Sequence, residues 1–178
     1  MRLFSPTWQK FDAEPIGFRQ FRYLFDKDIE PEWRLATYPA LNEGRKMAVR
    51  FYWFTAELKN GGLPQYLWNS SGEFTADQFA DFATVKCSEA ASVLSSASRK
   101  IFGTDHPPID TPERHLRIEE YYGTHPFNDD DDHERLSTLD GKDDLRAETN
   151  QLDDRQKEIA TALCSWFRGH PDYFTRLK

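Results

Sequence analysis

Long apolar runs are missing from this chain. The most apolar stretch, Met47 to Leu58, is interrupted by Arg50, Thr55 and Glu57, well short of the ~20 apolar residues that span a bilayer. The N-terminal MRLFSPTWQKF has no apolar h-region, so no signal peptide is expected. Cysteine is almost absent: Cys87 and Cys164 stand far apart and cannot build a disulfide framework. They fit small buried residues in a reducing compartment, with a single disulfide as the alternative, and the expected location is the cytoplasm. No stripe of Lys and Arg runs along the chain to release counterions from phosphates, so direct nucleic-acid binding is not expected. HExxH, CxxC and GxSxG are all lacking. Each would have carried a metal or a nucleophile at a spacing that chemistry requires.

What is abundant is aromatic side chain, 15% of 178 residues. Rings supply burial that a disordered chain lacks. The first forty residues carry Phe4, Trp8, Phe11, Phe18, Phe21, Tyr23, Phe25, Trp33 and Tyr38 between four prolines. They read as an extended arm, residues 1–41, packed onto the core by its rings, with a short helix over Ile16–Phe25. The remainder, 42–178, reads as a helical domain. Asn42 caps a helix over Glu43–Leu58, whose Met47, Phe51, Phe54 and Leu58 form one apolar stripe. Gly61 and Gly62 end it.

Pro64–Trp68 make a short helical turn, and Thr75 caps a helix reaching Val85, with Phe79 and Phe82 pointing inward. Ser88–Phe102, stopped by Gly103, is the next helix. Thr111 then caps a helix with Pro112 at its first position, ending at Tyr122. A weak helix over His133–Leu139 and a final one over Leu152–Phe167 complete the set. No period-two alternation is sustained and no repeat occurs. The expected fold is all-α, an orthogonal bundle of about six to seven helices with an aromatic-rich N-terminal arm.

The densest information lies in Asn60–Glu73, NGGLPQYLWNSSGE. Surface loops rarely carry rings such as Tyr66 and Trp68, and buried segments rarely carry so many amides and hydroxyls. The combination predicts a connection folded into the protein, its side chains satisfying its own backbone. A helix ending in Glu57-Leu58-Lys59, followed by Asn60-Gly61-Gly62, Gln65-Tyr66 and Asn69-Ser70-Ser71-Gly72, resembles the signature of the DNA-mimic-protein-like family of bacterial helical domains. The resemblance covers about Asn42–Phe174 and ends on His170-Pro171-Asp172-Tyr173-Phe174. It implies a helical fold and an acidic surface that imitates duplex DNA and occupies the DNA-binding face of a helix-turn-helix transcription factor.

The charge pattern bears on that expectation. Between Asp129 and Glu158 stand twelve acids and five Lys or Arg, so this window holds the whole net charge of −7. The run Asp129, Asp130, Asp131 and Asp132 is one candidate contact for a basic partner, unless it is merely a solvated loop. Glu73, Asp77 and Asp81 are the second. Four helical residues rise about 6 Å, near the roughly 7 Å between phosphates on a strand. A solvated helix face is the simpler account of the same spacing.

His106, His115, His125, His133 and His170 invite a metal reading, above all His115 with Glu119, Glu120 and His125, but His115 and Glu119 at i, i+4 are only two potential ligands. No metal, no cofactor and no catalytic residue is expected. The function expected is a non-enzymatic protein-interaction domain, a DNA mimic for a basic regulator, with self-association into a homodimer also compatible. Two alternatives stay open. One is a small-molecule hydrolase or metal-dependent enzyme centred on Gln65–Ser71. The other is an interaction module without mimicry, of the toxin–immunity kind.

Overall fold

The computed structural model describes residues 11, 17–35, 37–123 and 145–174. These are helical almost throughout and include no strand. Among the described residues seven α-helices follow one another: α1 (Phe18–Leu24), α2 (Glu30–Leu35), α3 (Glu43–Trp68), α4 (Thr75–Thr84), α5 (Ser88–Phe102), α6 (Thr111–Tyr122) and α7 (Arg146–Gly169). None among the described residues is long and apolar enough to cross a membrane. The expected helix over His133–Leu139 lies outside the described residues.

The N-terminal segment is more helical than its prolines suggest. The extended reading of residues after Phe25 is corrected by a π-helical turn, Phe25–Ile29, that joins α1 to α2 without a break. Here the Glu30 N–H reaches back to the Phe25 carbonyl. A wide turn just ahead of Pro31 gives the proline ring room against the preceding turn, where a regular helix would clash. The rings of this segment dock on α3: Phe21 meets Phe51 edge-on at 4.9 Å, and Phe25 stacks on Tyr52 at 4.1 Å. Such pairs contribute about 0.5–1.5 kcal/mol each beyond their burial.

Helix α3 is the axis of the protein, with α7, α4, α6 and the N-terminal segment packed around it. Asn42 caps it as expected, its side chain accepting from the Arg45 N–H at 3.0 Å. Met47, Phe51, Phe54 and Leu58 are all buried. So, less expectedly, are Arg45, Arg50 and Glu57, three charged groups on a core helix. Arg45 bonds the carboxylate and the carbonyl of buried Asp28, both at 3.2 Å, which fixes the N-terminal segment to the core. Buried charges persist only where partners replace the lost water.

The helix is broken at Gly61 and Gly62, and resumes at once to Trp68. Gly62 has φ +75°, the left-handed conformation in which a side chain would be strained. Pro64 sits in the first turn of the resumed helix, where its missing N–H is not needed. The Leu63 N–H donates across the fold to the Thr149 Oγ1 of α7 at 3.1 Å.

Two caps shift by one residue from expectation. Thr75 lies inside α4 rather than before it, and its hydroxyl donates to the Gly72 carbonyl at 2.7 Å. Asp110, not Thr111, caps α6, accepting from the Glu113 N–H at 3.0 Å. Helix α7 begins six residues earlier than its apolar pattern indicates, at Arg146. Phe82 is buried as expected, whereas Phe79 is half-buried.

Candidate interaction surface and the buried signature

The signature segment lies largely inside the protein. Gly62, Leu63, Pro64, Tyr66, Leu67, Ser71 and Gly72 are buried, Gly61, Gln65, Trp68 and Asn69 half-buried, and Asn60 and Ser70 exposed. Glu57, one turn before the break, organises the amides. Its Oε2 accepts from Gln65 Nε2 at 2.6 Å and from Asn69 Nδ2 at 2.9 Å. Ser71 donates to the Tyr66 carbonyl at 3.2 Å. Burial pushes the Tyr66 phenol well above its ordinary range, with Thr75 beside it. The polar groups of Gln65, Asn69 and Ser71 are therefore spent on the fold: the two amides hold the Glu57 carboxylate, and only Ser71 bonds the backbone of the segment, at the Tyr66 carbonyl.

The far end of α3 is closed by two residues of α6. The guanidinium of Arg114 is fully buried and uses every N–H it has. Nε donates to the Leu67 carbonyl at 2.7 Å; one terminal nitrogen donates to Pro108 and Ile109, the other to the Asn69 carbonyl and Thr111 Oγ1. Burial lowers its pKa, opposed in part by the nearby Glu73 carboxylate. His115 lies parallel to the Trp68 indole, 3.7 Å between centroids, with Nε2 at 2.7 Å from the Trp68 carbonyl. A carbonyl only accepts, so that nitrogen carries the proton. Cations and donors at a helix C-terminus satisfy its orphan carbonyls and oppose its dipole. Gly72 is required here, since a Cβ would lie 2.5 Å from the Leu67 oxygen and 2.8 Å from Arg114 Nε.

The acidic candidates separate into unlike groups. Glu73 and Asp77 are exposed, but Asp81 is 4% exposed and faces Arg50. Its two oxygens accept from Arg50 Nε and its terminal nitrogen, both at 2.6 Å, and Arg50 also donates to the Tyr38 hydroxyl at 2.8 Å. Burial works against the Arg50 charge, and Asp81 more than offsets it, so the guanidinium stays charged. The expected row of three surface carboxylates is thus corrected to two. The third forms a buried ion pair that fastens α4 to α3, and Asp77 leans toward the same cation at 3.8 Å. Asp129, Asp130, Asp131 and Asp132 lie outside the described residues.

The sequence does not reveal the role of Glu57 as the acceptor for Gln65 and Asn69, nor Arg114, nor the Arg50–Asp81 pair. A signal existed for one of them: Arg50 stands between Met47 and Phe54 at helical spacing, on the face that must be buried.

Among the described residues, no group of three or more His, Cys, Asp or Glu is placed to hold a metal. His115 is committed to Trp68 as above, and His170 stacks on Trp166 at 4.2 Å. Cys87 and Cys164 are buried free thiols, and so not bridged. Burial pushes Cys164 up to about 12, against a long contact to the Gly17 carbonyl.

Comparison with curated proteins and with solved structures finds no match. The family model for DMP19-like protein matches residues 39–170, from just ahead of α3 to the end of α7. The chain belongs to the DMP19-like protein family.

Proposed function

We propose that this protein is a non-enzymatic interaction domain whose acidic surface engages a basic DNA-binding protein, in the manner of a DNA mimic. The observation that carries the reading is the charge distribution in a chain of this family. Its whole net charge of −7 resides in residues 129–158, while the rest of the chain is balanced. A concentrated field of one sign attracts and orients a partner of the other, raising the association rate and repelling phosphate. The partner that fits is a basic protein such as a helix-turn-helix transcription factor. Asp129–Asp132 are the first contact, with Glu73 and Asp77 as a second patch.

The chemistry of the signature supports binding over catalysis. Gln65, Asn69 and Ser71 serve Glu57 and the backbone of α3, and no nucleophile–base pair is formed among them. An interaction module without mimicry is the second reading, favoured by the removal of Asp81 from the surface.

The test is capture of partners from native cytosol on immobilised protein, repeated at low and high salt and with duplex DNA as competitor. The reading expects a basic protein released by both salt and DNA. Partners that stay bound at high salt and in the presence of DNA would contradict it.

A further inference from the structure

We infer that Trp53, Glu57 and Asn60 form a pocket for an arginine side chain of the basic partner. The three residues stand at i, i+4 and i+7 on α3 and so share one face of the helix. With Ala56 and Lys59 they line a cavity of ≈ 390 Å³. Glu57 is 7% exposed, and both of its amide partners bond Oε2. Its Oε1 accepts no hydrogen bond from the described residues and is not sealed from solvent. A carboxylate this buried, held by two amides on one oxygen, offers the other to a donor from outside. Fixing such a group in advance spares a ligand the cost of ordering it.

The walls define the donor. Trp53 is 37% exposed and held edge-on by Trp33 at 5.7 Å, so its indole is both fixed and accessible. Indole faces attract cations, most strongly those that can lie flat on the ring. The exposed Asn60 amide bonds nothing in the described fold, alone among the signature's amide side chains. A guanidinium matches all three: one N–H to Glu57 Oε1, another to the Asn60 carbonyl oxygen, and its plane on Trp53. A lysine ammonium can reach the carboxylate but cannot stack.

Two cations of the protein lie near without filling the site. Lys59 Nζ sits over the Phe18 ring at 5.2 Å, and the Arg22 guanidinium over Tyr52 at 5.1 Å. Both are engaged in the adjoining groove that Phe18 and Tyr52 line.

The inference rests on the reading of the partner as a basic protein, but its test needs no partner. N-acetyl-arginine amide is titrated into the 15N-labelled protein, following the Trp53 indole and Asn60 side-chain resonances, with the lysine and norleucine analogues in parallel. The expected result is saturable shifts at both residues for arginine, at least five-fold weaker for lysine and absent for norleucine. Glu57→Gln and Trp53→Leu should each weaken arginine binding at least five-fold. Because Glu57 also bonds Gln65 and Asn69, Asn60→Ala is the variant that leaves the fold alone, and it should weaken binding about three-fold. Failure of arginine to shift Trp53, equal binding by lysine, or unchanged binding in both Trp53→Leu and Asn60→Ala would overturn the inference. If the arginine probe fails while a basic partner is still captured in a salt-sensitive way, the pocket is wrong and the interaction reading stands. If the probe binds and no basic partner exists, the reverse holds.

Discussion

Arg114 donates its Nε–H to the Leu67 carbonyl at 2.7 Å, a contact between the first turn of α6 and the last turn of α3 made 47 residues apart in sequence. Through it a cation closes the helix around which the rest of the fold packs. Replacing Arg114 by Met keeps much of the stem but strands the carbonyls of Leu67, Asn69, Pro108 and Ile109. Each buried orphan costs about 1–3 kcal/mol, so a loss of roughly 3 kcal/mol or more is expected from urea unfolding. A loss under about 1 kcal/mol would mean that water replaces the guanidinium freely.

The break in α3 makes a second prediction about glycine. Gly62, at φ +75° and with Thr149 Oγ1 at 3.0 Å from a would-be Cβ, should lose about 1–2 kcal/mol on replacement by Ala. Gly103 also has a positive φ, +71°, but open space around it, so Gly103→Ala isolates the backbone cost alone. Thermal melts of the two variants should therefore differ, with Gly62→Ala the less stable. Equal melting temperatures would remove Thr149 from the account.

Asp105 sets an acid limit. Its bonds from Arg99, then Ser95, hold the carboxyl at about 2, below the ordinary 3.8. The folded state prefers the charged form, so this stabilisation is complete above about pH 3.8 and fades as pH falls toward 2. In Asp105→Asn the difference in stability from the parent should shrink over that window. Chemical unfolding at pH 5, 3 and 2 reads it; a constant difference would show that Asp105 titrates normally.

The thiols should be inert. Burial raises both Cys87 and Cys164, the latter to about 12, and the thiolate is the reactive form. Alkylation of the native protein at pH 8 should be slow at both sites and fast in denaturant. Rapid native labelling of Cys164 would indicate that α7 opens far more readily than its packing implies.

How much of this was readable beforehand depends on the kind of interaction. Helix α5 was legible to its ends, because Gly103 takes the left-handed C-cap and small residues mark its interior. The apolar stripe of α3 was legible for the same reason: local pattern sets local burial. The π-turn before Pro31 was not, because proline reads locally as a stop while the tertiary docking of Phe21 and Phe25 keeps the chain helical. Nor was the fate of Asp81. Its spacing from Asp77 describes a helix face but not what that face meets, and here it meets Arg50, 31 residues away in sequence. The signature was recognisable as buried from its mix of rings and amides. Of its anchors, Glu57 stands at the head of the motif, but its bonds to Gln65 and Asn69 need the break in the helix. Arg114 lies 47 residues beyond Leu67 and reaches it only in the folded chain.

The most direct test of acidic mimicry is competition. A basic partner obtained by capture is bound to a labelled duplex, and this protein is titrated in while fluorescence polarisation reports release of the DNA. The account predicts displacement at low salt, lost as salt screens charges over about 8 Å. It also predicts a several-fold weaker effect when Asp129–Asp132 are replaced by Asn, and a smaller one for Asp77→Asn. The protein alone should not shift the duplex. Binding of partner, DNA and this chain in one complex, or displacement indifferent to salt and to the loss of Asp129–Asp132, would contradict it.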